Sequence, residues 1–208
     1  MQMIEAIIFD FGGVLYDIDY FNTTQALAKF SKMPAKLLNL QLNQVLSLPD
    51  LFEKGLMSEN DFREFLRDNF QLNASDDEID DAWNAMIIKL KPDAIQTVKN
   101  LRKIYKLVLL SNTNSIHYRC FKPHVSELFS EFYKVYFSFE MRMRKPDIEI
   151  YDFVCRDLDI NPNKCLFIDD SLINIDGAKA AGLNVYHFDS TTKLSSLLHT
   201  IESFTHKS

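Results

Sequence analysis

An aspartate followed by two glycines stands near the start of the chain, directly after a short apolar run. Asp10 directly follows the apolar residues 6–9, and Gly12 and Gly13 come two and three residues later. A carboxylate in this position can end a strand in a turn, but it can also attack phosphorus and form an aspartyl phosphate. Glycine lets the backbone approach a ligand closely. The segment therefore predicts a nucleophile at Asp10, with the Gly12 carbonyl facing a metal ion.

Two adjacent acids, Asp169 and Asp170, follow the apolar residues 166–168. Paired carboxylates repel each other unless a positive charge lies close by. A hard divalent ion suits oxygen ligands, and Mg²⁺ favours few carboxylates together with water and phosphate. We expect Asp170 to bind Mg²⁺ directly and Asp169 to order a metal-bound water. A solvated acidic loop is the alternative interpretation of this pair.

Polar residues also follow a third apolar run, and a lysine precedes a proline later in the chain. Ser111 and Asn112 come after residues 107–110, and hydroxyl and N–H groups at such a turn can hold phosphate oxygens. Pro146 fixes the backbone before a helix, so Lys145 could neutralise the nucleophile and a phosphate oxygen together. Each signal is weak alone, because polar turns end most strands and single lysines are usually on the surface.

The apolar pattern predicts the elements that must position these residues. Continuous apolar runs suit strands that are buried on both faces of a parallel sheet. They occupy residues 6–9, 107–110, 135–137, 166–168 and 185–188. Helical patterns occupy residues 92–104, 147–158 and 173–181. Alternating strands and helices indicate a doubly wound α/β core, whose ligands bind beyond the carboxyl ends of the strands. The candidate residues all lie there.

Residues 18–91 differ from the rest of the chain, because they contain no convincing buried strand. Ser75 and Glu78 resemble a capping box, which marks a helix start. An apolar stripe at helical spacing follows, formed by Ile79, Trp83, Met86, Ile87 and Leu90. We predict three or four helices, inserted into a discontinuous core of residues 1–17 and 92–208. Tyr20 and Phe52 are candidates to face the site.

Composition and charge restrict the class of protein. The 208 residues are 47% hydrophobic and 25% charged, as in an ordinary folded protein. A net charge of -6 argues against nucleic acid as a main partner, but not against a small phosphorylated ligand. Three scattered cysteines give neither a disulfide framework nor a zinc pattern. No apolar stretch is long enough to cross a bilayer, so we expect a cytoplasmic location.

Taken together and in this order, the four polar groups resemble the motifs of the haloacid dehalogenase superfamily of phosphatases. The matching segments are residues 8–15, 109–113, 144–147 and 167–170. The resemblance covers the whole chain and implies a Rossmann-like core with an inserted, all-α helical cap. Within the superfamily the chain is most similar to bacterial sugar-1-phosphate phosphatases of the α-glucose-1-phosphatase type. The shared features there are residues 17–19, Gly55 and residues 111–114.

The resemblance also implies a role for each candidate residue. Asp10 would be the nucleophile, and Lys145 would stabilise the charge of the transferring phosphoryl group. Ser111 and the Asn112 amide would bind that group. The Mg²⁺ ligands would come from Asp10, the Gly12 carbonyl, Asp170 and, through water, Asp169. The helical cap would select a small phosphorylated substrate.

One position departs from the pattern of the superfamily. Most of its phosphatases carry a second aspartate two residues after the nucleophile, which protonates the leaving oxygen and later activates water. Here that position is Gly12. Asp17 or Asp19 could substitute, although acids at a helix start explain them more simply. A second possibility is that the leaving group needs little protonation, which favours sugar 1-phosphates or acyl phosphates. Rates should then depend steeply on the acidity of the leaving group. A third possibility is that the activity is weak.

Three other functions remain open at this stage. A haloacid dehalogenase uses the same aspartate without a metal or second aspartate, but it has no use for Asp169 and Asp170. A receiver-like signalling domain has similar residues in a different order. A binding protein with a decayed site is motivated only by Gly12. The prediction is a Mg²⁺-dependent phosphomonoester hydrolase, acting through an aspartyl phosphate on a sugar 1-phosphate.

Overall fold

The structure is a computed structural model that describes residues 4–35, 50–189, 191–197 and 200–201. Its strands and helices follow one another along the chain. They are β1 (Ala6–Phe9), β2 (Tyr16–Ile18), α1 (Tyr20–Ala28), α2 (Asp50–Glu53), α3 (Glu59–Phe70), α4 (Asp76–Asn84), β3 (Ile87–Leu90), α5 (Ala94–Leu101), β4 (Lys106–Ser111), α6 (Ser115–Phe121), α7 (Ser126–Phe129), β5 (Lys134–Phe137), α8 (Ser138–Met141), α9 (Ile148–Leu158), β6 (Cys165–Asp169), α10 (Leu172–Ala180) and β7 (Asn184–His187).

Within the described part of the chain, five strands form a parallel sheet in the order β5-β4-β1-β6-β7. Each of them coincides with one of the apolar runs, so the predicted α/β class is confirmed. Strand β1 lies in the middle, because the chain adds β4 and β5 on one side of it and β6 and β7 on the other. A crevice opens beyond the strands where the winding reverses in this way, and it is the usual ligand site of doubly wound sheets.

Both faces of the sheet are covered by helices, which explains why the strands lack alternating polar residues. On one face, Ile7 and Phe9 of β1 pack in a cluster that includes Val98 of α5 and Leu128 of α7. On the other face, Ile8 packs in a cluster with residues of α9 and α10. Burial on both sides is the situation in which continuous apolar strands are found. We call this sheet and its flanking helices the core.

Helices α1 to α4, which we call the cap, pack around a further apolar cluster. It contains Leu27, Phe62, Ile79 and Trp83, together with Ile116 of α6. The capping box at Ser75 is present with both of its hydrogen bonds, as the sequence predicts. Among the described residues, no helix is both long enough and apolar enough to cross a membrane.

The expectation of an all-α cap is wrong at the end of residues 18–91. The apolar stripe was assigned to one helix, but α4 ends at Asn84, and Ile87–Leu90 forms strand β3. This strand pairs antiparallel with Tyr16–Ile18, so a two-stranded ribbon carries the chain into the cap and back. Two adjacent β-branched residues, Ile87 and Ile88, favour the strand over another helical turn. The exact limits of core and cap stay a prediction.

Candidate active site

Three neighbouring strands deliver the predicted polar residues to one edge of the sheet. Asp10 follows β1, Ser111 ends β4 and Asp169 ends β6, with Asp170 next to it. The backbone N–H of Asp10 donates to the carbonyl of Ile168 at 2.8 Å, which holds the nucleophile candidate beside the acidic pair. Oxygen atoms of Asp10, Asp169 and Asp170 lie within 4.8 Å of one another. The structure therefore brings together residues that are up to 160 positions apart (170 minus 10).

Lys145 lies between two of these carboxylates and is fully enclosed. Its Nζ donates to Oδ1 of Asp10 at 2.6 Å and to Oδ2 of Asp169 at 2.7 Å. Its side chain is 1% exposed. Burial alone would lower the pKa of Lys145, but the two carboxylates outweigh burial and raise it, so the ammonium group keeps its charge.

Asn112 holds the lysine in place, a role that sequence reasoning missed. The Asn112 side-chain amide donates to the Lys145 carbonyl at 2.9 Å, and its Oδ1 accepts from the Lys145 N–H at 2.9 Å. These two bonds fix the backbone of Lys145, whose side chain reaches the nucleophile candidate Asp10. The sequence assigned Asn112 to phosphate binding through its backbone, and that role stays a prediction.

The two acids of the pair have different surroundings. Asp169 is completely buried, and it accepts from the Ser171 N–H at 2.8 Å and from the Asn174 amide at 3.1 Å to each oxygen. Asp170 is exposed at the mouth of the site. Asp169 thus has both oxygens engaged by the protein, whereas Asp170 presents a carboxylate to the cavity. Direct metal binding by Asp170 and a supporting role for Asp169 stay predictions.

Three carboxylates in a small volume could hold a cation. Burial raises the pKa of Asp10 to about 8; Lys145 opposes this, and the charges of Asp169 and Asp170 add to it. The pKa of Asp170 is also raised, first by burial and then by Asp169. A divalent ion would remove this penalty, and carboxylate oxygens are the ligands that Mg²⁺ accepts. The donor set therefore fits Mg²⁺.

The two glycines after Asp10 are placed differently. Gly13 has φ +78°, and a Cβ there would lie 2.0 Å from Oδ2 of Asp170, so any other residue would force that carboxylate to move. A Cβ at Gly12 would lie 3.2 Å from Cδ1 of Ile18, which fills the adjacent space. The Gly12 backbone lines the cavity described next. Metal binding by its carbonyl stays a prediction.

A cavity of about 480 Å³ lies between these strand ends and the cap. Tyr20 lines this cavity, as expected, but Phe52 does not. The Phe52 side chain is buried in the cap and stacks on Phe62, with the two ring centroids 4.1 Å apart. The residues that line the cavity from the cap and the ribbon include Ile18, Tyr20, Thr23, Thr24, Glu53, Trp83, Met86 and Ile87. Hydroxyl, carboxylate and apolar groups thus face the same space.

Sequence reasoning missed three further cavity residues. Glu53 and Arg144 form an ion pair, with Oε2 and Nε 2.9 Å apart. His117 also lines the cavity, and its ring stacks on Trp83 with the two ring centroids 5.2 Å apart. Burial lowers the pKa of His117 to about 4, so the ring is neutral. The sequence offered one signal for a cavity position of Glu53 and Arg144, namely their neighbours. Arg144 adjoins Lys145, and Glu53 lies two residues before Gly55.

The fold and the strand-end site are those of a hydrolase with a capped Rossmann-like core. The chain belongs to the haloacid dehalogenase-like hydrolase family, whose model matches residues 4–182. It is 32% identical over 189 residues to a D-ribitol-5-phosphate phosphatase from Bacteroides thetaiotaomicron, covering 88% of this chain and 91% of that protein. It is also 26% identical over 189 residues to a sesquiterpene phosphatase from Aspergillus oryzae, covering 88% of this chain and 89% of the relative.

Solved structures show the same architecture. A haloacid dehalogenase family enzyme from B. thetaiotaomicron, in complex with magnesium and inorganic phosphate, superposes with a TM-score of 0.79 at 31% identity, covering 93% of this chain and 98% of that one. A predicted hydrolase of the family from Porphyromonas gingivalis gives a TM-score of 0.81 at 26% identity, covering 99% and 100%. The chain is therefore a phosphatase of this family that acts on a phosphorylated small molecule. Its kinship with sugar-1-phosphate phosphatases stays a prediction.

Proposed function

We propose that this phosphatase requires Mg²⁺ and hydrolyses a sugar or polyol phosphate through an aspartyl phosphate on Asp10. The observation that supports the proposal most directly is the carboxylate cluster of Asp10, Asp169 and Asp170, whose oxygens lie within 4.8 Å of one another. Such a cluster needs a cation. A phosphatase needs a cation at the same place, because its anionic nucleophile must approach an anionic phosphate.

The proposed reaction uses the residues at the strand ends. Asp10 attacks phosphorus, the bond to the leaving oxygen breaks, and water then cleaves the aspartyl phosphate to regenerate the carboxylate. The Ser111 hydroxyl and the Asn112 N–H donate to the phosphoryl oxygens. Lys145, held 2.6 Å from Asp10, stabilises the negative charge of the transferring phosphoryl group. Bound Mg²⁺ would neutralise the phosphate and the carboxylates of Asp10 and Asp170.

The substrate class rests on the cavity and on the named relative. Thr23, Thr24 and Glu53 provide hydroxyl and carboxylate groups that can bind the hydroxyls of a sugar or polyol. The relative from B. thetaiotaomicron is named for ribitol 5-phosphate, a polyol phosphate. Unless another residue protonates the leaving oxygen, Gly12 favours a leaving group that departs easily, which supports a sugar 1-phosphate. A cytoplasmic location and the lack of a nucleic-acid partner remain expectations from the sequence.

The substrate class is tested by phosphate release from glucose 1-phosphate, glucose 6-phosphate, ribitol 5-phosphate and 4-nitrophenyl phosphate, each with Mg²⁺ and with a chelator. We expect Mg²⁺-dependent turnover with a lower KM for the hydroxylated substrates than for the aryl ester. Among them, the highest kcat/KM would identify the preferred member of the class. A lower KM for the aryl ester than for every sugar and polyol phosphate would contradict the proposed class.

A further inference from the structure

The site lacks a proton donor at the position where Gly12 stands. Gly12 has no side chain, and Ile18 closes the space beside it, 3.2 Å from where a Cβ would be. The acids nearby in sequence have other contacts: Asp19 accepts from the Phe21 N–H at 2.9 Å as the N-cap of α1, and Asp17 lies 3.9 Å from Lys91. Neither acid lines the cavity. Asp17 and Asp19 therefore do not face a substrate in the cavity.

Among the residues that the structure describes, four carboxylates line the cavity, belonging to Asp10, Asp50, Glu53 and Asp170. Asp10 is the proposed nucleophile, and Asp170 faces the proposed cation. The Asp50 side chain is 53% exposed, whereas that of Glu53 is only 15% exposed. A proton donor works best when water is kept away from it, so Glu53 is the suitable remaining acid.

Backbone and side-chain contacts fix Glu53 against the core. Gly55, two residues later, has φ +62°, and a Cβ there would lie 2.2 Å from the carbonyl oxygen of Phe139 in α8. The segment therefore packs directly on core backbone. Arg144 contacts Glu53 at 2.9 Å, and Lys54 contacts Asp147 at 2.7 Å. Because Arg144 adjoins Lys145, these contacts set the position of Glu53 relative to the nucleophile.

We propose that Glu53 is the general acid and base of this phosphatase, in place of the aspartate that Gly12 lacks; this rests on the proposed function. As Asp10 attacks phosphorus, the bond from phosphorus to the leaving oxygen breaks, and that oxygen takes the proton of the Glu53 carboxyl group. The Glu53 carboxylate then takes a proton from water while the water oxygen attacks the aspartyl phosphate. The bond from phosphorus to Asp10 breaks, and phosphate leaves.

The charges around Glu53 allow it to carry a proton. Burial raises its pKa, Arg144 lowers it in part, Asp50 raises it and Lys145 lowers it, and the net direction is upward. The Tyr20 phenol also faces this group from α1, and its own pKa is raised, first by burial. Glu53 thus stays protonated to higher pH than a solvated glutamate, which is what a general acid requires.

The test compares Glu53→Gln with the wild type on an alkyl ester, ribitol 5-phosphate, and on 4-nitrophenyl phosphate, whose leaving group needs no proton. We expect Glu53→Gln to lose about 100-fold or more in kcat/KM on the alkyl ester, with little change on the aryl ester. The wild-type rate on the alkyl ester should fall at high pH as Glu53 ionises, and the variant should lack this limb. The wild-type rate should then depend weakly on the acidity of the leaving group, whereas the rate of the variant should depend on it steeply. If Gly12 left the site without a general acid, the wild-type rate would itself show the steep dependence.

Asp50→Asn is the matched control, because Asp50 also pairs with Arg144. An exposed ion pair contributes little, so this variant should keep both activities within about fivefold. Equal losses on both esters in Glu53→Gln, or no loss on either, would overturn the assignment. A failure of the proposed function would look different, since the wild type itself would then release no phosphate with Mg²⁺. Urea unfolding of each variant excludes a general loss of structure.

Discussion

Lys145 gives the site a fixed positive charge before any metal binds. It contacts Asp10 at 2.6 Å and Asp169 at 2.7 Å, but it leaves Asp170 to the cavity. One ammonium group cannot neutralise three neighbouring carboxylates, and burial keeps the pKa of Asp10 raised, to about 8. The metal-free site therefore holds a proton on Asp10 to higher pH than a solvated aspartate would. Metal binding and proton release must then be coupled.

We predict that Mg²⁺ binding at pH 7 releases nearly one proton. Asp10, with its pKa raised to about 8, is protonated at pH 7, and only its carboxylate form binds the ion. Raising the pH to 9 ionises Asp10 beforehand, so the release should decrease. Titration calorimetry in buffers of different ionisation enthalpy measures the number of protons. Asp10→Asn should release fewer protons than the wild type, and equal release at pH 7 and pH 9 would contradict this coupling.

The sequence identifies the residues at the strand ends but not those of the cavity wall. Asp10, Ser111 and Lys145 are predicted because each follows a recognisable apolar run or precedes a proline that begins a helix. Glu53 and His117 are not, because an acid or histidine on a polar helix has the same local pattern whether it faces solvent or a cavity. Only the packing of distant segments distinguishes the two cases.

At the scale of elements, the strands were predictable and the end of helix α4 was not. Continuous apolar runs locate all five parallel strands, because burial on both faces leaves no room for polar residues. The stripe after Ser75 fits a helical period as far as Trp83. Beyond it, Ile87–Leu90 is too short for periodicity to separate strand from helix, and its pairing partner, Tyr16–Ile18, lies about 70 residues earlier.

We predict that Gly55→Ala weakens the docking of the cap on the core. A Cβ at Gly55 would lie 2.2 Å from a backbone oxygen of Phe139, which cannot move as a side chain could. Gly182→Ala is the matched control, because Gly182 also has positive φ, at +86°, but the nearest atom to its Cβ would be 3.8 Å away. The control should lose only about 1–2 kcal/mol, the cost of the backbone conformation.

Urea unfolding and kcat/KM on ribitol 5-phosphate measure this difference. Gly55→Ala should lose more stability than Gly182→Ala, and it should also lose activity, because displacement of α2 moves Glu53. If the two variants lose equal stability and keep equal activity, the contact with Phe139 does not position the cap.

The whole molecule places a small reaction centre between two packed units. Because β1 lies between β4 and β6, three distant segments of the chain meet at one edge of the sheet. The cap covers that edge and is joined to the core by the antiparallel ribbon and by His117, whose ring stacks on Trp83. The His117 ring also contacts the Trp83 carbonyl oxygen at 3.2 Å. This arrangement encloses a cavity of about 480 Å³, large enough for a small phosphorylated metabolite.

The most direct test of the account is Mg²⁺-dependent phosphate release by the wild type and by Asp10→Asn, with Asp17→Asn as a control acid outside the cavity. We predict that the wild type and Asp17→Asn release phosphate with Mg²⁺ and not with a chelator. Asp10→Asn should lose on the order of 1,000-fold or more, because the nucleophile is removed. Wild-type turnover without a divalent ion, or Asp10→Asn turnover close to that of Asp17→Asn, would contradict an aspartyl-phosphate mechanism at this site.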